Sequence, residues 1–154
     1  MEPSQPPAYL WLIILVAFPV FFVGMWTFVC LIIASVSGWS GMAKHHRCPE
    51  GLQGTALSSG WANMVGVASY RGVLRFEASP QGLIARVSRL FPLHPALLLP
   101  WGALRLQRAG GIFFAGEMQV ANGATFRLNN DALTAIEQAL SHASGSPAPW
   151  GATR

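Results

Sequence analysis

The sequence predicts a membrane-spanning N-terminal helix followed by an α+β domain, a bent antiparallel sheet closed by a C-terminal helix. Three observations predict it. Ala8 to Val36 holds no charged side chain, and all ten lysines and arginines lie beyond that run. From Trp61 onward, short alternating apolar runs are divided by Gly, Pro and Asn, the pattern of strands and turns. After Asn130 the apolar spacing changes to that of an amphipathic helix.

Taken in order, residues 1–7 form a short tail ending in Pro6-Pro7, and residues 8–36 the span. At about 1.5 Å per helical residue the run exceeds a hydrocarbon core ~30 Å thick. Tyr9 and Trp11 at its start and Trp39 just past its end mark the headgroup layers, where amphipathic rings are favoured. Pro19 removes one backbone donor and implies a kink near Leu15–Pro19. Ala17 and Gly24, one heptad apart, leave room for another helix to approach. A cleaved secretory signal, which the small residues Ala34 to Gly38 would allow, needs a basic leader and an apolar stretch of about 7–15 residues. Here the leader carries Glu2 and the stretch is far longer. The overall hydrophobic fraction of 52% and mean hydropathy of +0.40 therefore come largely from the anchor.

Residues 37–60 read as a basic juxtamembrane tether, with Lys44 and Arg47 as its lipid-facing cations. The positive-inside bias then places the N-terminus outside and the C-terminal domain in the cytoplasm of a bacterial inner membrane. Cys30 and Cys48 suggest no disulfide framework and fit a reduced compartment. Residues beyond the span hold ten basic side chains against five acidic ones, a balance that favours an anionic lipid surface. These cations are scattered along strands without a Lys/Arg run or recognition motif, which argues against nucleic acid.

Residues 61–143 form the β domain. Leu74, Phe76 and Ala78 continue across Ser79-Pro80-Gln81-Gly82 as Leu83, Ala85 and Val87, a hairpin with proline at the second turn position. Leu90 to Pro95 is broken by its prolines. Leu97 to Leu106 resumes pairing, with Pro100 implying an edge or bend. A second hairpin follows. A three-residue loop, Ala121-Asn122-Gly123, sets Met118 against Phe126, Val120 against Ala124 and Glu117 against Arg127, with Gly123 in a bulge. A two-residue Asn-Gly turn would mix the faces. The total is six or seven strands. Asn130 or Asp131 caps the final helix, whose inward stripe is Leu133, Ile136, Ala139 and Leu140. Gly145-Ser146-Pro147 ends it, and residues 144–154 form a disordered tail.

This element order resembles pleckstrin-homology and GRAM-like barrels. The stretch Leu90-Phe91-Pro92-Leu93-His94-Pro95-Ala96-Leu97-Leu98-Leu99-Pro100-Trp101 resembles the His-Pro…Pro-Trp segment of uncharacterised bacterial single-pass membrane proteins. Phe22 to Trp26 and Ser37-Gly38-Trp39 are also similar to theirs. The resemblance implies an architecture, and no activity.

No catalytic constellation is evident. Glu77 and Glu117 read as outward-facing on strands, Asp131 as a cap and Glu137 as lying on the exposed side of its helix. Nucleophile elbow, phosphate loop and dinucleotide fingerprint are all missing. His45, His46 and Cys48 have ligand chemistry but no second pair at zinc spacing, so neither metal nor cofactor is expected, and no small-molecule substrate is evident. His94, between two prolines, reads as a partner for nearby backbone carbonyls. With Leu97, Leu98, Leu99 and Trp101 it also forms the candidate interaction surface, Leu97 to Leu99 being either covered on both faces or offered to a partner. The function expected is a non-catalytic, membrane-anchored binding or scaffold module in contact with the bilayer or a membrane protein. The alternative is a small accessory subunit of a larger membrane complex.

Overall fold

The computed structural model describes residues 7–57, 63–64, 68–70, 72–109, 114–121 and 125–145. Helix α1 runs from Ala8 to Val36, 29 residues continuous through Pro19. It is long and apolar enough to cross a membrane. Its two aliphatic hydroxyls are satisfied within the helix: Thr27 donates to the Val23 carbonyl and Ser35 to the Leu31 carbonyl, both at 2.8 Å. Large apolar side chains are exposed along most of its length, but near the C-terminal end Cys30 and Ala34 are buried. Trp26, Cys30, Ile33, Ala34 and Ser37 fall on one face at helical spacing, and that face meets the domain.

The tether expected over residues 37–60 is instead folded wherever it is described. Gly38, at φ 76°, stops α1 in a left-handed conformation that glycine adopts without strain. The chain then turns into α2 (Trp39–His45), which buries Trp39 and Met42. Arg47 bridges to Leu97, flanked by Cys48 N–H to the Ala96 carbonyl at 2.8 Å and Leu98 N–H to the His46 carbonyl at 2.7 Å. Farther on, Arg86 donates to the Leu52 carbonyl at 2.5 Å and pairs with Glu77 at 3.1 Å, while Gly54 N–H donates to Glu77 at 3.3 Å. A composition rich in Gly, Ser and His hid these contacts because residues 37–57 make them through the backbone groups of His46, Cys48, Leu52 and Gly54 and through the isolated apolar side chains of Trp39 and Met42.

Among the described residues the domain has two four-stranded antiparallel sheets. The first, in the order β1-β3-β4-β5, contains β1 (Thr55–Ala56), β3 (Leu74–Ser79), β4 (Gly82–Val87) and β5 (Leu97–Leu99). The second, in the order β2-β8-β7-β6, contains β2 (Asn63–Met64), β6 (Leu104–Arg108), β7 (Gly116–Val120) and β8 (Thr125–Leu128). Eight strands are thus described, more than the six or seven expected, because β1 falls within the supposed tether and β2 is only two residues long. Pro100 and the 3-10 turn Trp101–Ala103 carry the chain from one sheet to the other, which is the bend that proline implied.

Both hairpin registers follow the apolar alternation. Leu74 lies opposite Val87, Phe76 opposite Ala85 and Ala78 opposite Leu83. In the second sheet Met118 lies opposite Phe126 and Glu117 opposite Arg127, the latter an ion pair at 3.2 Å. The expected Val120–Ala124 pair and the Gly123 bulge lie outside the described residues, as do Trp61 and the tail from residue 146. The inner faces pack together, with Phe76 and Phe126 edge to face at 6.2 Å.

Helix α3 (Asn130–Ser144) covers this core with Ala132, Leu133 and Ile136, and ends at Gly145. Its cap is neither Asn130 nor Asp131. Asn129 holds the extended cap conformation, and its side chain accepts from Ala132 N–H at 3.0 Å. Glu137 does not lie on an exposed side either: it is 14% exposed and paired with Arg108 of β6 at 2.5 Å.

Candidate functional site at the helix–domain junction

Three segments meet where α1 leaves its apolar run. The first is the end of α1 with Trp26, Cys30 and Ser37. The second is Tyr70, shortly before β3. The third is the irregular stretch from Ser88 to Ala96 between β4 and β5, kept out of the sheet by Pro92 and Pro95. Their side chains form one polar and aromatic cluster. Ser37 Oγ lies 2.8 Å from Tyr70 Oη, which lies 3.0 Å from His94 Nε2. His94 Nδ1 lies 3.1 Å from the Pro92 carbonyl. The Trp39 ring lies tilted against those of both Tyr70 and His94, at 5.6 and 5.8 Å between centroids, and its indole N–H donates to the Pro95 carbonyl at 3.0 Å.

The carbonyl of Pro92 sets the direction of this chain. A carbonyl only accepts, so Nδ1 carries the proton of the neutral ring and Nε2 is left as an acceptor. Tyr70 then donates to Nε2 and accepts from Ser37, which in turn accepts from Trp39 N–H at 3.4 Å. Ser37, Tyr70 and His94 are 5%, 1% and 8% exposed. Burial pushes the His94 pKa below its ordinary value, against its hydrogen bonds to backbone carbonyls. Burial likewise pushes the Tyr70 phenol up, with the Ser37 hydrogen bond opposing. Both groups stay neutral near pH 7. Among the described residues, no buried side-chain nitrogen or oxygen lacks a partner. A closed network of this kind fixes positions; Ser37 faces Tyr70, not the imidazole, so it has no adjacent base.

Higher up α1, Trp26 donates its indole N–H to the Leu90 carbonyl at 2.9 Å, and its ring lies 5.6 Å from that of Phe91. On the other side of His94, an open cavity of about 510 Å³ is lined by Gly51 to Gly54, Glu77, Arg86, Arg89 and Ala96.

The residues expected to act together do not all do so. Leu97 and Leu99 are fully buried in the core and leave the candidate interaction surface, while Leu98 is half-buried on the opposite face. His94 is buried and bonds a proline carbonyl, the structural role its setting implied. Trp101 is half-buried, donates to the Ser79 carbonyl at 3.0 Å and lines a groove of about 700 Å³ between β1 and the alanine face of α3. Of the residues expected at the membrane boundaries, Tyr9 and Trp11 are exposed on α1, and Lys44 and Arg47 are exposed beyond it. Trp39 departs from that set, because Gly38 turns it inward into the core.

Among the described residues, no group of three His, Cys, Asp or Glu side chains is placed to hold a metal ion. Cys48 is buried, its thiol pushed up by burial, with Arg86 lowering and Glu77 raising it. Ser37, Tyr70, Trp26 and Phe91 were missed by sequence reasoning. The available signal was the spacing of Trp26, Cys30 and Ser37, which falls on one helical face of the uncharged run and its C-cap. Comparisons with protein-family models, curated proteins and solved structures return no match for this chain.

Proposed function

We propose that this protein is a non-catalytic, membrane-anchored binding or scaffold module of the bacterial inner membrane, with its N-terminus outside and its β domain on the cytoplasmic face. The observation that carries this reading is the clasp between α1 and the domain. A domain bonded to its anchor through Ser37–Tyr70–His94 and Trp26–Leu90 is held at one height and orientation, which suits presentation of a surface at the bilayer. The exposed Lys44 and Arg47 just past α1 support the inward orientation. A PH/GRAM-like layout is supported by the placement of consecutive strands. β1 and β2 occupy edges of different sheets, as do β5 and β6, and a C-terminal helix packs over the core. The sealed hydroxyl network and the engaged carboxylates Glu77, Glu117 and Glu137 support a binding role over catalysis.

Fractionation tests the anchor. The full chain should stay with membranes through high-salt and carbonate washes, and release by either treatment overturns the reading. Protease added to the outer face of sealed cells should leave the β domain intact; its digestion overturns the orientation. A second reading, an accessory subunit, is favoured by the shallow apolar groove of α1 between Leu12 and Phe21, beside Ala17. Crosslinking in intact membranes separates the two: a stoichiometric protein partner supports the subunit, and lipid-only crosslinks support the surface binder.

A further inference from the structure

We infer that the loop Leu90-Phe91-Pro92-Leu93 is a second membrane contact, a wedge that enters the inner leaflet beside α1. The inference rests on α1 spanning the bilayer, as proposed above. Its starting point is a mismatch of lengths. A 29-residue helix is about 43 Å long, against a hydrocarbon core of ~30 Å that roughly 20 residues can cross. With Tyr9 and Trp11 at the outer boundary, the inner boundary falls near Phe28, well before the helix ends at Val36. The final turns therefore emerge from the hydrocarbon, and their inward face is the one the domain covers at Cys30, Ala34 and Ser37.

The loop is not docked at those emerging turns. Its Leu90 carbonyl and Phe91 ring are held by Trp26, ten residues and about 15 Å along the axis from Val36. That height is the boundary between acyl chains and headgroups, where a tryptophan is favoured. Here the loop exposes apolar side chains: Leu90 is 74% and Leu93 49% exposed. No charge interrupts Leu90 to Ala96, and the exposed Arg89 precedes it at the position of the phosphate layer. The shape of the loop is held, too. Leu93 has φ 70°, the one positive φ outside glycine among the described residues, a conformation that costs energy in a leucine. It sits between Pro92, whose carbonyl is bonded by the His94 ring, and His94 itself, anchored on Tyr70. An outward-turned leucine is thus maintained by the same buried network that clasps α1.

The test uses the purified full chain in vesicles of phosphatidylethanolamine and phosphatidylglycerol. Single cysteines replace Leu90, Leu93, Phe21 in the middle of α1, and exposed Gln81 at the far end of the β3–β4 hairpin. Each is labelled with an environment-sensitive fluorophore, with the unsubstituted chain measuring any labelling of the buried Cys30 and Cys48. The probes at positions 90 and 93 should be quenched several-fold more by lipids spin-labelled high on the acyl chain than the probe at 81, and protected from aqueous iodide. If the probe at 21 is quenched by deep spin labels but those at 90 and 93 behave like 81, the anchor stands and the wedge is overturned. If the probe at 21 is itself open to iodide, the spanning reading fails. Shielding of positions 90 and 93 from both quenchers assigns the loop to a contact with a second copy and also overturns the wedge.

Discussion

Removing one oxygen, in Tyr70→Phe, takes a partner from both Ser37 and His94. Ser37 retains the Ala34 carbonyl at 3.4 Å, whereas His94 Nε2 is left buried without a donor. A buried polar group stranded in this way costs about 1–3 kcal/mol, so the variant should unfold at lower denaturant than the parent in detergent micelles. An unchanged midpoint would show that the network contributes nothing to stability. The same ring carries a pH dependence. The folded pKa of His94 lies below its ordinary 6.5, so the unfolded chain binds the proton more readily. His94 therefore contributes stability that is complete above pH 6.5 and is lost as acidification passes that value, levelling off below the folded pKa. Tyr70 and Ser37 face the ring directly, and Glu77, Arg86 and Arg89 line the cavity beside it. His94→Gln should flatten the part of the stability profile that declines below about pH 6.5, and an unaltered slope would assign that decline elsewhere.

At the level of elements, the position of the α3 cap is decided by backbone conformation. Asn129, Asn130 and Asp131 all have capping chemistry, and only Asn129 is extended with its side chain on Ala132 N–H. Asn129→Ala should cost about 1 kcal/mol and Asn130→Ala much less, measured by thermal unfolding; equal losses would contradict the assignment. Gly116 matters for a different reason. A Cβ there would stand 2.5 Å from the Gln107 carbonyl oxygen and 2.8 Å from Leu133 Cδ2, where β7 passes beneath α3. Gly116→Ala should therefore destabilise by about 1–3 kcal/mol through overpacking, and parental stability would mean that the helix and strand can part without cost. The two hairpins were legible because period-two alternation admits only one register that keeps Phe76 with Ala85 and Met118 with Phe126 on the inner face. The cap was not, because three consecutive residues of like chemistry carry no information about their own backbone angles.

For the whole molecule, the question is how firmly α1 and the domain are joined. Trp26→Ala removes both the hydrogen bond to the Leu90 carbonyl and the ring contact with Phe91, while Trp26→Phe keeps a ring. Amide exchange across residues 88–94 should quicken in the alanine variant and less so in the phenylalanine variant. Equal exchange in all three would show that Trp26 does not hold the loop. Sequence alone determined what depends on local composition and period: a helix from Ala8 to Val36, two hairpins with their registers, the break at Pro100, and a closing amphipathic helix. Tertiary structure alone decided that Trp39 and Met42 are core, that Leu97 and Leu99 are unavailable to a partner, and that Ser37, Tyr70 and His94 form one chain. The physical reason is separation along the chain. Periodicity records which face of an element is apolar, but a contact between residues 26 and 90, or 37 and 70, leaves no mark on the residues between them and exists only once the elements have packed.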